Sequence, residues 1–172
     1  MHHEVRQFVA TAFDEGTVPL WYANGAVLEI GAVNINGTIR DLFPTTRRYV
    51  GIDQVLGPCV DIVTTAELFV AGSLFDLVLC CEVLEHAKRP QAIVDCAYRS
   101  LRIGGMLILT CAGWQRQIHG QWGALGITDT EPYNQLTLDQ VVDLFGERWR
   151  VWRSGEITAP QHDIQLVVER VI

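Results

Sequence analysis

Residues 25–31 have the sequence GAVLEIG, an apolar run with a single acid that glycine bounds at both ends. A short, continuous apolar run of this kind is typical of a strand that is buried on both faces of a parallel sheet. Gly31, at its end, lets the backbone turn tightly beside a ligand because it has no side chain. The segment predicts the first strand of an α/β sheet with a ligand at the strand's carboxyl end.

Outward from this segment, strands and helices alternate. Pro90 marks the first turn of a helix that Gly104 and Gly105 end, and Thr137 caps another. The amino-terminal region 1–20 has apolar side chains at helical spacing and predicts a short helix at 3–14. Further helices are predicted at 37–43, 90–101 and 138–146, and further strands at 48–53, 60–64, 75–81, 106–111, 149–158 and 162–171.

The order of these elements predicts the architecture. Strands that alternate with helices form a parallel sheet, and two closing strands add an antiparallel end. We therefore predict an α/β fold: a doubly wound, mostly parallel, seven-stranded sheet with one antiparallel strand near the carboxyl terminus, built from residues 1–172 as one domain. The connection from Asp53 to Val60 is too short for a helix. Residues 112–136 form a long polar loop, and such loops are usually functional.

Composition narrows the class of partner. The chain of 172 residues has a net charge of −7, which disfavours a broad nucleic-acid surface despite the local cluster of Arg40, Arg47 and Arg48. It has no apolar run long enough to span a bilayer, and its first residues lack the pattern of a secretory signal. The five cysteines form no Cys-x-x-Cys pair, as expected for reduced thiols. We expect a cytoplasmic protein, and the sequence leaves its oligomeric state open.

A second acid ends the next predicted strand. Asp53 follows Glu29 by 24 residues, close to the spacing of about 20 at which dinucleotide-binding sheets place an acid against ribose hydroxyls. An alternative is that Gly31 merely ends a strand and Asp53 merely begins a turn. A dinucleotide dehydrogenase is a further alternative, but it requires G-x-G-x-x-G, and Val33 and Asn36 stand where the second and third glycines belong.

Four segments occur in the order and spacing of a known family: VLEIG at 27–31, YVGID at 49–53, FDLVLCCEVLEH at 75–86 and LRIGGMLILT at 101–110. From about residue 20 to 111 the chain thereby resembles class I S-adenosylmethionine-dependent methyltransferases. The segment 82–86 looks like the one after the fourth strand in small-molecule enzymes of the ubiquinone-biosynthesis type, while Ile103 replaces a proline usual in their L-(R/K)-P-G-G turn. The resemblance implies a Rossmann-like methyltransferase fold with S-adenosylmethionine as cofactor.

The resemblance also implies roles for individual residues. Gly31 would approach the methionyl part of the cofactor, Glu29 would anchor its ammonium through backbone or water, and Asp53 would hold the ribose. Adenine would contact the residues after the third strand, and a carbonyl at the end of the fourth strand would face the ammonium. The residues at these two strand ends are Thr65, Ala66, Cys81 and Glu82.

The glycine-rich loop of the family departs from its usual form. Only the outer glycines remain, Gly31 and Gly37, and we expect Gly37 to contribute to cofactor binding and Asn36 to cap a helix that begins there. This departure keeps open an alternative of a different class, a non-catalytic module that binds S-adenosylmethionine or S-adenosylhomocysteine on a methyltransferase scaffold.

Two histidines are candidates for a general base. Glu82 and His86 are four residues apart and would share a helical face, which suits acid–base work or metal ligation. The alternative is that the acids simply stabilise a helix start. We predict no metal site, because no further cluster of His or Asp supports one. His119, in the 112–136 loop, is an equal candidate for the base.

Two missing sequence motifs and one loop bear on the identity of the methyl acceptor. Neither N-P-P-Y nor D-P-P-Y follows the fourth strand, which disfavours methylation of amino groups on nucleic-acid bases. Trp114, Trp122 and Tyr133 line an acceptor pocket in the 112–136 loop or, alternatively, merely anchor it. We predict transfer of a methyl group to a small-molecule or sugar-like acceptor, at oxygen.

Overall fold

The computed structural model describes residues 3–122, 130–157 and 162–172. The strands are β1 (Ala26–Ile30), β2 (Arg48–Asp53), β3 (Ile62–Val63), β4 (Phe75–Cys81), β5 (Leu101–Ala112), β6 (Trp149–Ile157) and β7 (Asp163–Arg170), and the helices are α1 (His3–Asp14), α2 (Pro90–Ser100) and α3 (Leu138–Asp143). Short 3-10 turns lie at 20–22, 40–42, 84–86 and 146–148.

All seven strands join one sheet in the order β3-β2-β1-β4-β5-β7-β6. The first five pair in parallel, and β7 is antiparallel to both β5 and β6. This topology confirms the predicted doubly wound sheet with one antiparallel strand near the carboxyl terminus. The last strand is predicted to end at residue 171 and ends at Arg170. The strand before it is predicted to end at residue 158, which lies outside the described residues, and is seen as far as Ile157.

Apolar layers cover both faces of the sheet. One face packs against α2 and α3, where Val94, Ala97 and Val141 are buried. The other packs against α1, whose Val5 and Phe8 are buried as its spacing predicts. No helix lies between β2 and β3 in the described chain, as the short connection requires. Within the described ranges, every helix falls short of the length and hydrophobicity that crossing a membrane requires.

The helix predicted at 37–43 is wrong. The chain makes only a 3-10 turn at Arg40–Leu42, and the Gly37 amide donates to Oδ1 of Asn34 at 2.8 Å instead of entering a helix. Asn36 therefore has no helix to cap. The physical reason is length, because a run stopped by Pro44 cannot repay the cost of helix nucleation.

Two strand boundaries also differ from prediction. Strand β5 begins at Leu101 rather than at Met106, so Gly104 and Gly105 lie within it and do not end a helix. The sheet bulges here, with a register shift opposite Phe75–Leu77, and Gly104 adopts a φ of +75°. Strand β3 keeps only two residues of the predicted 60–64, because the Asp61 carboxylate before it accepts a hydrogen bond from the Gly51 amide at 2.7 Å.

Candidate active site

A cavity of about 810 Å³ opens at the carboxyl ends of the parallel strands. This volume is typical of sites for small molecules and cofactors. Every residue predicted to bind the cofactor or to act as a base lines it except Glu29: Gly31, Gly37, Asp53, Thr65, Ala66, Cys81, Glu82, His86 and His119. The fold thus gathers residues from five separate segments of the chain at the edge where open α/β sheets bind ligands.

Gly31 is required by the backbone at the end of β1. Its φ is +80°, in the left-handed region, and a Cβ there would lie 2.3 Å from Cγ2 of Val83. Its amide donates to the Ile52 carbonyl at 2.9 Å, which fixes the start of the loop against β2. The absence of a side chain at Gly31 therefore leaves the loop next to the first turn after β4.

The Asp53 carboxylate is held in a fixed orientation at the end of β2. Its Oδ2 accepts from the Val33 amide and its Oδ1 from the Val55 amide, each at 3.1 Å. An ionised carboxylate has about four acceptor positions, so two backbone bonds leave capacity for a ligand. Asp53 lines the cavity with these oxygens already oriented.

Glu29 points to the opposite face of the sheet. Its side chain is 3% exposed and accepts a hydrogen bond from Tyr49 Oη at 2.7 Å, in the layer next to α1. Burial raises the pKa of Glu29 to about 7. Successive side chains of a strand alternate between faces, and this alternation places Ile30 rather than Glu29 toward the cavity. Any contribution of Glu29 to cofactor binding therefore runs through its backbone.

The Glu82–His86 spacing predicts a helix after β4, but the chain there is not an α-helix. Glu82 has a φ of +59°, uncommon for a residue with a side chain and a feature that often marks functional sites. Its amide donates to the Thr110 carbonyl at 2.9 Å, and its Oε1 accepts from Thr110 Oγ1 at 2.9 Å. The chain then makes a single 3-10 turn at 84–86. Glu82 and His86 still reach the same cavity, through this tight reversal rather than a shared helical face.

A cluster of buried charge lies beneath this turn. Arg116 pairs with Asp163 and lies 3.7 Å from Oε2 of Glu82. The carboxylate of Glu85 is fully buried in the same region. Burial and the charge of Asp163 raise the pKa of Glu82 to about 7, and burial and the charge of Glu82 raise the pKa of Glu85.

His86 and His119 come together although 33 residues separate them in the chain. Their ring centroids lie 5.1 Å apart, and Tyr133 packs on both rings at 5.4 Å and 5.3 Å. Burial, with a smaller contribution from His119, lowers the pKa of His86 to about 4. His86 is therefore neutral at pH 7. Both imidazoles line the cavity, at the side formed by β4 and β5.

The 112–136 loop contributes only in part as predicted. Trp122 lines the cavity, whereas Trp114 does not and is half exposed. Tyr133 supports the two histidines instead of forming the wall. Residues 123–129 of this loop lie outside the described residues, so the acceptor pocket predicted for the whole loop stays a prediction there.

Two residues of this loop were not singled out by sequence reasoning. Asn134 Nδ2 donates to the carbonyls of Leu84 and Ala87 at 3.0 Å and 2.7 Å, which clamps the turn that carries His86. Nothing in the sequence distinguishes this asparagine. Arg116 could have been found from the sequence, because it is the only Lys or Arg between residues 112 and 136.

Comparisons with known proteins agree with this geometry. A family model described as "Methyltransferase domain" matches residues 28–109, from β1 into β5. No protein of curated function matches the sequence.

Several solved structures share the fold. An S-adenosylmethionine-dependent methyltransferase from Clostridium acetobutylicum superposes with a TM-score of 0.72 at 10% identity, over 100% of this chain and 93% of that one. The N-methyltransferase NodS from Bradyrhizobium japonicum, in complex with S-adenosyl-L-homocysteine, gives 0.67 at 16% identity over 97% and 85%. A 1,6-didemethyltoxoflavin-N1-methyltransferase from Burkholderia thailandensis, with its substrate and S-adenosylhomocysteine, gives 0.66 at 11% identity over 98% and 88%.

At these low identities, the TM-scores show a common fold and no more. The family match covers the strands and turns that build one side of the cavity. The predicted subtype, that of ubiquinone biosynthesis, is not distinguished by either comparison. Residues 28–109 thus match a methyltransferase domain, and the chain shares the fold of solved S-adenosylmethionine-dependent methyltransferases.

Proposed function

We propose that the protein transfers the methyl group of S-adenosylmethionine to an oxygen atom of a small-molecule or sugar-like acceptor. The observation that carries the proposal is the pair of imidazoles, His86 and His119, in the same cavity as the strand-end residues Gly31 and Asp53. The cavity therefore has a cofactor end and an acceptor end.

The cofactor end is built on β1, β2 and β3. Asp53 would accept the ribose hydroxyls, Thr65 and Ala66 would flank adenine, and the loop from Gly31 to Gly37 would pass along the methionyl part. Hydrogen bonds to a charged acceptor contribute more than neutral ones, about 1.5–3 kcal/mol each. Asp53, with its carboxylate held in place, is thus the residue that contributes most to cofactor affinity in this proposal.

The acceptor end is built on β4 and β5. Neighbouring strands are about 4.8 Å apart, so the end of β5 lies roughly 14 Å across the sheet from the end of β2. That span accommodates a nucleoside and its methionyl tail between Asp53 and the histidines. The methyl donor would then lie beside Cys81 and Glu82, with the acceptor against His86 and His119.

The proposed chemistry requires a proton to leave the acceptor. The acceptor oxygen attacks the methyl carbon in line with the departing sulfur, the carbon–sulfur bond breaks, and its electron pair returns to sulfur as the neutral thioether of S-adenosylhomocysteine. A hydroxyl is a poor nucleophile until its proton is removed, whereas a neutral amine already has a free electron pair. Two imidazoles, with His86 neutral at pH 7, suit a hydroxyl acceptor better than an amine.

The charge of the chain favours a small neutral acceptor over a nucleic acid. The net charge of −7 and the buried acids at the acceptor end disfavour a polyanion. The 1,6-didemethyltoxoflavin enzyme of the same fold acts on a small molecule, at nitrogen. A small neutral acceptor with a hydroxyl group fits the walls provided by Trp122 and Ile93.

A methyl-transfer screen with labelled S-adenosylmethionine tests the proposal. Matched pairs of acceptors that differ only in hydroxyl or amine at one position should give product from the hydroxyl member. Preferred methylation of the amine members, or of DNA or RNA, would show that the acceptor assignment is wrong while leaving the cofactor site intact.

A further inference from the structure

Three potential metal ligands converge at the acceptor end of the cavity. Glu85, His86 and His119 each offer one ligand atom, and these atoms all lie within 4.8 Å of one another. One carboxylate oxygen and two imidazole nitrogens form a donor set that Zn²⁺, Fe²⁺ and Co²⁺ accept, with further positions left for another ligand. The expectation that no such cluster exists rested on sequence spacing, and His119 joins it only through the fold.

Two of these ligand groups each have one buried polar atom without a hydrogen-bond partner among the described residues. Oε1 of Glu85 accepts from the Ala112 amide at 3.2 Å, but Oε2 has no hydrogen-bond partner within the described residues. The buried Nδ1 of His86 has none there either. Protonation of Glu85 would not resolve this, because a carboxylic acid proton needs an acceptor. Buried polar atoms without partners are costly, and a bound cation would satisfy both.

The surrounding charge favours a cation. Glu82, Glu85 and Asp163 are three carboxyl groups in one buried cluster. Arg116 pairs with Glu82 and Asp163, and no ion pair of the described residues reaches Glu85. Buried charges are paired or coordinate metals. A divalent ion at Glu85 would bring the cluster close to neutrality.

The ligands are also held in place, as metal ligands usually are. Nδ1 of His119 lies 3.1 Å from the Gln117 carbonyl, which can only accept, so this hydrogen bond places the proton on Nδ1 and frees Nε2. Tyr133 supports His119 through a contact of 3.1 Å between Oη and Nδ1. Asn134 fixes the turn of Glu85 and His86 by donating to the carbonyls on either side of it.

We propose that Glu85, His86 and His119 bind one divalent transition-metal ion, whose open coordination position faces the cavity and holds the acceptor oxygen. This role rests on the proposed methylation at oxygen. A divalent ion lowers the pKa of a hydroxyl bound to it, so the proton can leave to solvent without either imidazole acting as the base. The two histidines then act as ligands, each through a ring nitrogen that carries no proton, as ligation requires.

Titration of the metal-free full chain with Co²⁺, followed by visible absorption, tests the site without reference to activity. The wild-type protein should bind one Co²⁺ with the d–d bands of nitrogen and oxygen ligation, and Zn²⁺ should displace it. Glu85→Gln and His119→Ala should each weaken Co²⁺ binding by roughly 10–100-fold or more. Gln keeps an acceptor for the Ala112 amide, so this change alters the ligand and preserves the packing.

The control is His3→Ala, which removes an exposed histidine from α1 and should leave Co²⁺ binding unchanged. Thermal unfolding and S-adenosylhomocysteine binding establish that each variant is folded. Absence of d–d bands in the wild type, or equal Co²⁺ affinity in wild type, Glu85→Gln and His119→Ala, would overturn the metal site. Co²⁺ binding as predicted together with methylation of amines alone would instead retain the site and reject the acceptor assignment.

Discussion

The ring of His119 meets the ring of His86 edge to face, at 83° and a centroid distance of 5.1 Å. Because the two residues follow different strands, β5 and β4, this contact depends on the parallel sheet that brings the strand ends together. It defines the proposed acceptor end of the cavity.

Loss of either histidine should impair turnover far more than cofactor binding. We expect His86→Ala and His119→Ala each to lower kcat by about 100-fold or more, with S-adenosylhomocysteine affinity nearly unchanged, whether the imidazole holds a proton or a metal ion. Steady-state kinetics with calorimetry of the same variants measures both quantities. Full activity in both variants would leave alignment of donor and acceptor as the whole mechanism.

Asp53 should determine cofactor affinity. Replacing it with Asn keeps the size of the side chain and one acceptor for the backbone amides of the loop, but removes the negative charge. We expect Asp53→Asn to weaken S-adenosylhomocysteine binding, and Asp53→Ala to weaken it by about 1.5–3 kcal/mol. Asp95, a half-buried acid on α2 that does not line the cavity, offers the matched control Asp95→Asn. Equal affinities for folded wild type and Asp53→Ala would remove Asp53 from the ribose role.

Gly31 should tolerate no side chain. Gly31→Ala incurs a left-handed φ and a contact of 2.3 Å with Val83, whereas Gly16→Ala incurs only the φ of +73°, since nothing lies within 4 Å of its Cβ. The left-handed conformation costs about 1–2 kcal/mol, so Gly16→Ala should lose about that much stability and Gly31→Ala clearly more. Chemical denaturation of the pair measures the difference, and equal losses would contradict the close approach to Val83.

Some elements of the fold could be predicted from the sequence and others could not, and the structure explains the difference. Local signals such as the apolar run of β1 and the capping box of Thr137 and Gln140, at 3.3 Å and 2.9 Å, are present in the sequence because neighbouring residues create them. The sheet order follows from the alternation of elements. The helix expected at 37–43 is absent because the run before Pro44 is too short to repay helix nucleation, and the Gly37 amide bonds to Asn34 instead.

The candidate site likewise has residues whose positions the sequence predicts and residues whose positions it does not. Gly31 and Asp53 end adjacent strands, so their meeting at one edge follows from topology. The Glu85–His86–His119 cluster depends on where residues 113–119 cross above the turn after β4, and on the clamp from Asn134, which no periodicity encodes. The loss of the inner glycine does not remove the loop from the site, since Gly31 and Gly37 both line the cavity. This geometry weakens the motive for a non-catalytic module.

Stability should depend on pH through Glu29. Its folded pKa, about 7, is raised above the usual 4.5, so its contribution to stability is complete below pH 4.5 and is lost as pH rises through 7. Glu29→Gln stays neutral and keeps an acceptor for Tyr49. Its free energy of unfolding should match wild type near pH 4 and exceed it by up to about 3 kcal/mol at pH 8. Denaturation across this range checks it, and parallel curves would contradict a buried, titrating Glu29.

The central claim, that the cavity at the strand ends binds the methyl donor, is tested most directly by isothermal titration calorimetry of the full chain with S-adenosylmethionine and S-adenosylhomocysteine. We expect each ligand to bind with a stoichiometry of one per chain and a micromolar Kd. No heat of binding for either ligand at millimolar concentration, in protein shown to be folded, would contradict the account.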